Sequence, residues 1–364
     1  MLDHTLSVAV AENRIVGAIS VVMRAGRIVY ETAVGLADRE DRRPMQVTTP
    51  HRLASLTKPV TALATLALID RGVLALEDRV DRFLEFRPRF GDATPPITIY
   101  QLLTHTSGLS YRFMEAPGGP YHQAGVSDGL AEPGLALAEN LRRLASVPLI
   151  AAPGTAWNYS LSFDVLGAII EKLVDAPLDR ALARLITGPL DLDLSFAPRE
   201  GFATPYFNAP GEPQRMFDGV EVPSMPPNSC TFAPSRVYDA ASYPSGGAGM
   251  TGTAREYARF LEALRTRKVP VRAELVDQMF RDQIPELEPV ALYGFGNGYG
   301  FAIRRPSTPS PLLPGAVRWG GAYGHAWFIS GDTVSVLLTN TAFEGMSGQL
   351  RTDVEREVSG YRGV

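Results

Sequence analysis

Residues 57–76, TKPVTALATLALIDRGVLAL, carry no charged side chain between Lys58 and Asp70. The apolar positions run all round a 3.6-residue period instead of forming one stripe. A helix of that kind cannot lie on a surface, so the chain needs a layered domain thick enough to enclose it. Pro59 is tolerated only in the first helical turn, which puts the start of the helix close to Leu56, and Gly72 marks its end. Ser55 therefore stands at the helix N-terminus, with Lys58 one turn further on, an S-x-x-K pattern.

The elements around this helix predict how it is enclosed. Residues 3–13 suit a short helix. The β-branched runs at 18–23 and 27–34, joined by Arg24-Ala25-Gly26, read as a hairpin. From about Thr98 to Pro244 short helical patterns alternate with Pro- and Gly-rich loops, and residues 201–245 read as long, lid-like loop. Thr253, three residues before Glu256, predicts a capping box. Strand signals then return in YGFAIRR, AVRWGG, HAWFIS and TVSVLLTNT, followed by a helical SGQLRTDVEREV. The Gly-rich YGFGNGYGF fails the G-x-G-x-x-G spacing and reads as a loop leading into a strand. The expected class is α+β. N- and C-terminal strands form one antiparallel sheet flanked by helices, with an inserted, mostly helical lobe. The expected division is 1–96 with 245–364 as the α/β part and 97–244 as the helical lobe, with the site between them.

Composition narrows the function classes. The 364 residues are 45% hydrophobic and 20% charged, with formal net charge -4 and both signs interspersed, so no basic stripe for nucleic acid is present. Cys230 is the only cysteine, which removes disulfides and cysteine metal sites and leaves a buried structural thiol. The five histidines, His4, His51, His105, His122 and His325, form no helix-face pair, and no metal or cofactor is expected. His51, His105 and His325 are read as hydrogen-bonded structural residues. The start of the chain, with Asp3 and Glu12, does not read as a signal peptide. No segment approaches the ~20 apolar residues of a membrane span. A cytoplasmic protein with no membrane or nucleic-acid partner is expected, and the pattern sets no oligomeric state.

Two serines compete for the chemistry. Residues 125–129, GVSDG, match the G-x-S-x-G of a nucleophile elbow, which needs a strand entering it and a helix leaving it. MEAPGGPYHQA precedes the motif and Pro133 follows, so neither is expected and Ser127 is read as a decoy. Ser55 has better surroundings. At a helix start its backbone N–H is free and the helix dipole favours an oxyanion. Burial would push Lys58 toward the neutral amine that can serve as general base. Only Lys172 and Lys268 accompany it, and the many arginines stay protonated.

Two further stretches bear on this chemistry. In PGTAWNYSLSFDVLGAIIEKL, Tyr159 stands where a loop becomes a helix, with Ser160 or Ser162 as candidate caps. It could relay a proton, or simply anchor the helix start. In RWGGAYGHAWF the adjacent glycines could let a ligand approach the backbone and a free N–H complete an oxyanion hole, or could make a plain turn.

Together with LLTHTSGL (102–109) and PSGGAGM (244–250), these pieces resemble the serine hydrolases of the class C β-lactamase and penicillin-binding-protein fold. Within that fold the chain is most similar to the family VIII carboxylesterases, which also carry a non-catalytic G-x-S-x-G. The resemblance implies Ser55 as nucleophile, with Lys58 and Tyr159 as general base and proton relay. It implies an oxyanion hole from the N–H groups of Ser55 and Ala322. Tyr111, Trp319, Gly320, Gly321 and Leu161 would line the substrate site, with Asp164 as an anchor behind it.

Two departures favour an ester over a β-lactam. The Y-x-N of the β-lactamases is here Tyr159-Ser160-Leu161, and their K-T-G is Trp319-Gly320-Gly321. Groups that would pair the amide and carboxylate of a β-lactam are replaced by apolar ones. The expected function is a serine carboxylesterase acting on short-chain or acetyl esters through an acyl-enzyme on Ser55. The alternatives are a β-lactamase or D-amino-acid peptidase, an acyltransferase, or a non-catalytic acyl-binding protein. The only partner expected is a small-molecule ester.

Overall fold

The computed structural model describes residues 2–224, 227–289 and 292–360. An eight-stranded antiparallel sheet organises the chain. Its strands are β1 (Gly17–Arg24), β2 (Arg27–Asp38), β3 (Arg43–Pro44), β4 (Phe295–Asn297), β5 (Ala302–Arg304), β6 (Val317–Gly321), β7 (His325–Ser330) and β8 (Thr333–Thr339). Their order is β4-β5-β6-β7-β8-β1-β2-β3, so the two ends of the chain meet where β8 lies against β1, with Ala18 opposite Thr339 and Arg24 opposite Thr333.

Period-2 alternation explains why both faces are covered. Ile19, Val21 and Met23 point into the main core, with Val334, Val336 and Leu338 of β8. Ala18, Val22 and Leu337 point the other way, into a second core. Helices α1 (Leu2–Ala11) and, at the far end of the chain, SGQLRTDVEREV supply that second core through Leu6, Ala9, Leu350, Val354 and Val358. The main face is covered by α2 (Lys58–Asp70), in which every residue from Lys58 to Leu68 is buried. Each enclosed Leu or Val there contributes about 1.5–3 kcal/mol of hydrophobic stabilisation. Three more helices of ten or more residues complete the frame: α3 (Leu137–Ser146), α4 (Ser162–Val174) and α5 (Ala254–Arg265), with α6 (Gln349–Gly360) last.

Several local expectations need correction. Residues 201–245 are not one loop: Tyr206–Phe207 pairs with Gln214–Arg215, and Val220–Pro223 with Ser229–Phe232. Val220, Val222, Cys230 and Phe232 bury an apolar face that pays for this pairing. The segment YGFGNGYGF is not loop alone, because Phe295–Asn297 pairs with β5 as the edge strand β4. The capping box at Thr253 is half formed. Thr253 Oγ1 accepts the Glu256 N–H at 3.3 Å, while the Glu256 carboxylate accepts the Asp193 N–H. Cys230 is free and buried. Among the described residues no helix is long and apolar enough to cross a membrane.

Candidate active site

Ser55 lies on a 3-10 turn, Ala54–Thr57, that runs directly into α2 with Pro59 in its first turn. The turn is tied down on every side. Thr57 Oγ1 donates to Ala54 O at 2.7 Å and accepts the Met250 N–H at 3.0 Å. The Leu53 N–H donates to Met250 O, Tyr257 Oη to Leu56 O, and the His325 ring Nε2 lies 2.8 Å from Arg52 O. Ala54 holds φ +47°, a left-handed conformation that costs an alanine about 1–2 kcal/mol. The surrounding bonds keep that strain beside the serine.

Three of the expected residues meet at one oxygen. Tyr159 Oη donates to Ser55 Oγ at 2.7 Å, and Lys58 Nζ lies 3.1 Å from the same atom. Lys58 Nζ also donates to Gly247 O at 2.8 Å, and sits 4.6 Å over the Tyr159 ring and 5.3 Å over that of Tyr111. The lysine is fully buried, and burial pushes its pKa below the ordinary lysine range, against the opposing pull of Asp164 and Asp128. Burial drives the Tyr159 phenol the other way, well above its usual value. The amine is thus the group ready to accept a proton, and the phenol the one that keeps its own.

The glycines of PSGGAGM explain how this cluster closes. A Cβ on Gly246 would meet Phe163 O of α4 at 2.4 Å, so only glycine lets the segment press on that helix. A Cβ on Gly247 would stand 2.9 Å from Asp164 Oδ2, 3.0 Å from Tyr111 Oη and 3.5 Å from Lys58 Nζ. Asp164 is buried and burial raises its pKa; Ser245 and the Gly247 N–H favour its ionised form without reaching hydrogen-bond geometry.

Half-buried Phe113, Trp157 and Trp319 wall the opening, and Tyr111, expected to line the substrate site, is only 2% exposed and supports that wall from within the core. Tyr111 stacks on Phe113 with centroids 4.7 Å apart and lies 4.9 Å from Tyr159, while Trp319 meets Tyr159 edge-on at 5.4 Å. Trp157, absent from the sequence-level site, stacks parallel to Tyr159 at 6.3 Å. Among the described residues the N–H groups of Ser55 and Ala322 take no hydrogen-bond partner. The double glycine also lets protein approach closely. A Cβ on Gly320 would strike Met346 Cγ at 2.3 Å, and one on Gly321 would strike Leu53 O at 2.7 Å. Gly321 thus lets the end of β6 press on the segment leading to Ser55. Leu161, expected to touch substrate, is 0% exposed and offers a ligand no surface. Packing of the α4 entrance into the main core takes its side chain.

The serines after Tyr159 do not cap α4, whose first turn has no side-chain cap. Ser160 Oγ instead lies 3.1 Å from His105 Nδ1 and 2.9 Å from Ser162 Oγ, which reaches Ser107 Oγ at 2.9 Å. His105 also accepts the Asn158 N–H at its carbonyl and meets the Tyr159 ring at 5.0 Å. This network flanks Tyr159 on both sides. A histidine in THTSG was its only sequence signal.

Ser127 is elsewhere and differently occupied. It is 1% exposed, its Oγ donates to Ala131 O at 3.3 Å, and its N–H donates to Asn140 Oδ1 at 2.9 Å. No strand enters residues 125–129 and no helix leaves them. Among the described residues no group of three or more His, Cys, Asp or Glu could hold a metal ion.

Comparison with known proteins identifies the family and the fold. The beta-lactamase family model matches residues 2–359. Esterase EstB of Burkholderia gladioli is 47% identical over 361 residues, covering 96% of this chain and 92% of that protein. The solved structure of EstCE1, described as a hydrolase with promiscuous acyltransferase activity, superposes with TM-score 0.93 at 38% identity, covering 99% of this chain and 97% of that one. Simvastatin synthase from Aspergillus terreus shares the fold at TM-score 0.77 and 23% identity, over 99% of this chain and 96% of its own. With a sheet, a buried lysine helix and a match that spans almost the whole sequence, the chain belongs to the beta-lactamase family.

Proposed function

We propose that the protein is a serine carboxylesterase acting on short-chain or acetyl esters, with Ser55 as nucleophile, Lys58 as general base and Tyr159 as proton relay. One observation carries this reading: a buried amine and a half-buried phenol converge on a single hydroxyl oxygen, at 3.1 and 2.7 Å. Neutral Lys58 takes the Ser55 proton as Oγ bonds to the ester carbonyl carbon. The tetrahedral oxyanion faces the N–H groups of Ser55 and Ala322. The C–O bond to the alcohol then breaks, and the leaving oxygen takes a proton from Tyr159, which is resupplied from Lys58. Water repeats the sequence on the acyl-enzyme, releasing the acid and restoring the serine. Asp164 holds the charge balance of Lys58 from behind, and Trp319 and Phe113, with buried Tyr111 stacked against Phe113, form the apolar wall for an uncharged ester.

Leu161 provides no amide and Trp319-Gly320-Gly321 no cationic group, so β-lactam recognition lacks its polar partners. The test is kcat/KM on p-nitrophenyl butyrate against a chromogenic cephalosporin, with Ser55→Ala as blank. Fast ester cleavage with slow or no ring opening is expected, and comparable ring opening would reject the ester preference.

Acyl transfer is the second reading, favoured by five aromatic side chains around Ser55 that can hold an acceptor alcohol and limit water. Added alcohol should then divert product from acid to new ester; acid alone would exclude it. We further propose that residues 97–244 form a lobe carrying Tyr111 and Tyr159, against a body of 1–96 and 245–364 carrying Ser55, Lys58 and Trp319. Hydrogen exchange should divide along those bounds, and one cooperative unit would reject the division. A cytoplasmic location is the matching proposal, and recovery in a membrane or secreted fraction would contradict it.

A further inference from the structure

The GVSDG turn leaves Ser127 without chemistry, yet the residue after it reaches the wall of the site. Asp128 Oδ1 accepts the Arg112 N–H at 2.7 Å and Oδ2 accepts the Phe113 N–H at 3.1 Å. The carboxylate is 7% exposed, so water cannot replace it as acceptor. Burial raises the pKa of the Asp128 carboxyl to about 7, while the Arg112 and Phe113 N–H groups favour its ionised form, and the two bonds together fix both position and orientation. The clamped residues flank the ring pair that walls Ser55, since Tyr111 precedes Arg112 and stacks on Phe113.

The other end of the turn is anchored just as firmly. Asn140 of α3 accepts the Ser127 N–H and donates to Ser127 O, both at 2.9 Å, and also donates to Tyr243 Oη at 3.0 Å. Gly129 has φ +80°, and a Cβ on it would stand 2.5 Å from Ser245 Oγ. Ser245 opens the segment whose Gly247 carbonyl holds Lys58. The turn therefore spans from the wall of the site to the support of its base.

We propose that Asp128 is a positioning residue that sets substrate selectivity, by clamping residues 112 and 113 so that Tyr111 and Phe113 hold the wall over Tyr159. This rests on the esterase reading with Ser55 as nucleophile. Asp128 touches no reacting atom, so its loss should alter which ester is accepted more than the reactivity of Ser55.

The test uses the full chain with p-nitrophenyl esters from acetate to octanoate, and diethyl p-nitrophenyl phosphate as a small label for Ser55. Asp128→Asn keeps the size but presents an amide to one of the two N–H groups. It is expected to shift the butyrate-to-octanoate ratio of kcat/KM by about tenfold, in the direction that Tyr111→Ala shifts it. Because Asp128 also favours the Lys58 ammonium, labelling of Ser55 is compared on the pH plateau above the rising limb, where it should stay within about threefold of the parent rate. The Asp128→Asn, Tyr111→Ala double variant should shift selectivity no further than Tyr111→Ala alone. Parent-like selectivity in Asp128→Asn, or fully additive shifts, would overturn the proposal.

A second pair of variants decides the matter if Asp128→Asn fails to fold. Tyr111 has extended backbone, φ -109° and ψ 152°, and Arg112 opens a 3-10 turn, so proline fits at position 112. Arg112→Pro deletes one clamped N–H, whereas Arg112→Ala keeps it. Altered selectivity in Arg112→Pro alone supports the clamp, and equal behaviour of the two variants overturns it. An unlabelled Ser55 in the parent would instead fail the nucleophile assignment.

Discussion

Ser55 and Ser127 both sit on tight turns, and both lie in patterns associated with nucleophilic serines, S-x-x-K and G-x-S-x-G. Their surroundings are opposite. Ser55 is half-buried, with a buried amine and a phenol on its oxygen and an unpartnered N–H at the head of a buried helix. Ser127 is enclosed, its hydroxyl given to a carbonyl and its backbone to an asparagine. The comparison teaches that reactivity belongs to the partners a hydroxyl is given. The short motif fixes a backbone shape, and here that shape presents Asp128 rather than Ser127.

The largest effect should come from Ser55→Ala, with kcat/KM on p-nitrophenyl butyrate falling by about 10⁴-fold or more. Appreciable turnover in that variant would break the comparison. Lys58→Ala should cost about 10²–10⁴-fold, the range of a positioned general base. The parent pH profile checks the same role. The neutral amine is the active form, so activity rises with pH as Lys58 loses its proton, below the ordinary lysine range because the side chain is buried. Asp164 opposes that shift by favouring the ammonium, so Asp164→Asn should move the rising limb toward acid. A limb that stays in place would remove Lys58 from the profile. Tyr159→Phe deletes the relay but leaves the base, and a loss of about 10²-fold is expected. Retained activity would assign the ring to anchoring the start of α4.

The framework of the Ser55 turn makes a smaller, separate prediction. His51 and His325 are buried edge to face at 5.5 Å, with pKa values pushed down to about 3 and about 4. Unfolded histidine titrates near 6.5, so below that pH the unfolded chain binds protons that the folded chain refuses. Each histidine should lower stability by about 1.4 kcal/mol per pH unit between roughly pH 6.5 and 4. Denaturant midpoints measured from pH 7 to 4 check this, and a flat profile would contradict it. The smallest effect belongs to Ser127→Ala, which loses two long hydrogen bonds, one to Ala131 O at 3.3 Å and one from the Gly129 N–H at 3.4 Å. Its kcat/KM should stay within about threefold and its stability within about 1 kcal/mol of the parent.

Much of this was legible because it rests on local pattern. The helix of Lys58, the hairpin of β1 and β2, and the strand His325–Ser330 follow from periodicity, Pro59 and turn residues. Ser55, Lys58 and Tyr159 were legible as candidates, and their convergence is a matter of distances that sequence spacing does not carry. What stayed hidden depends on partners far along the chain. Lys58 meets the carbonyl of Gly247, and Asp128 takes amides from 112 and 113. Ser160 and Ser162 had the composition of caps, but His105 and Ser107 claimed their hydroxyls. Leu161 had the sequence position of a ligand contact, and core packing claimed it.

The central claim, that Ser55 rather than Ser127 carries the acyl group, is tested most directly by peptide mass spectrometry after reaction with diethyl p-nitrophenyl phosphate. The account predicts one adduct per chain, on the peptide containing Ser55, with ester hydrolysis lost in step with labelling. An adduct on the peptide containing Ser127, or full labelling of Ser55 with hydrolysis unimpaired, would contradict it.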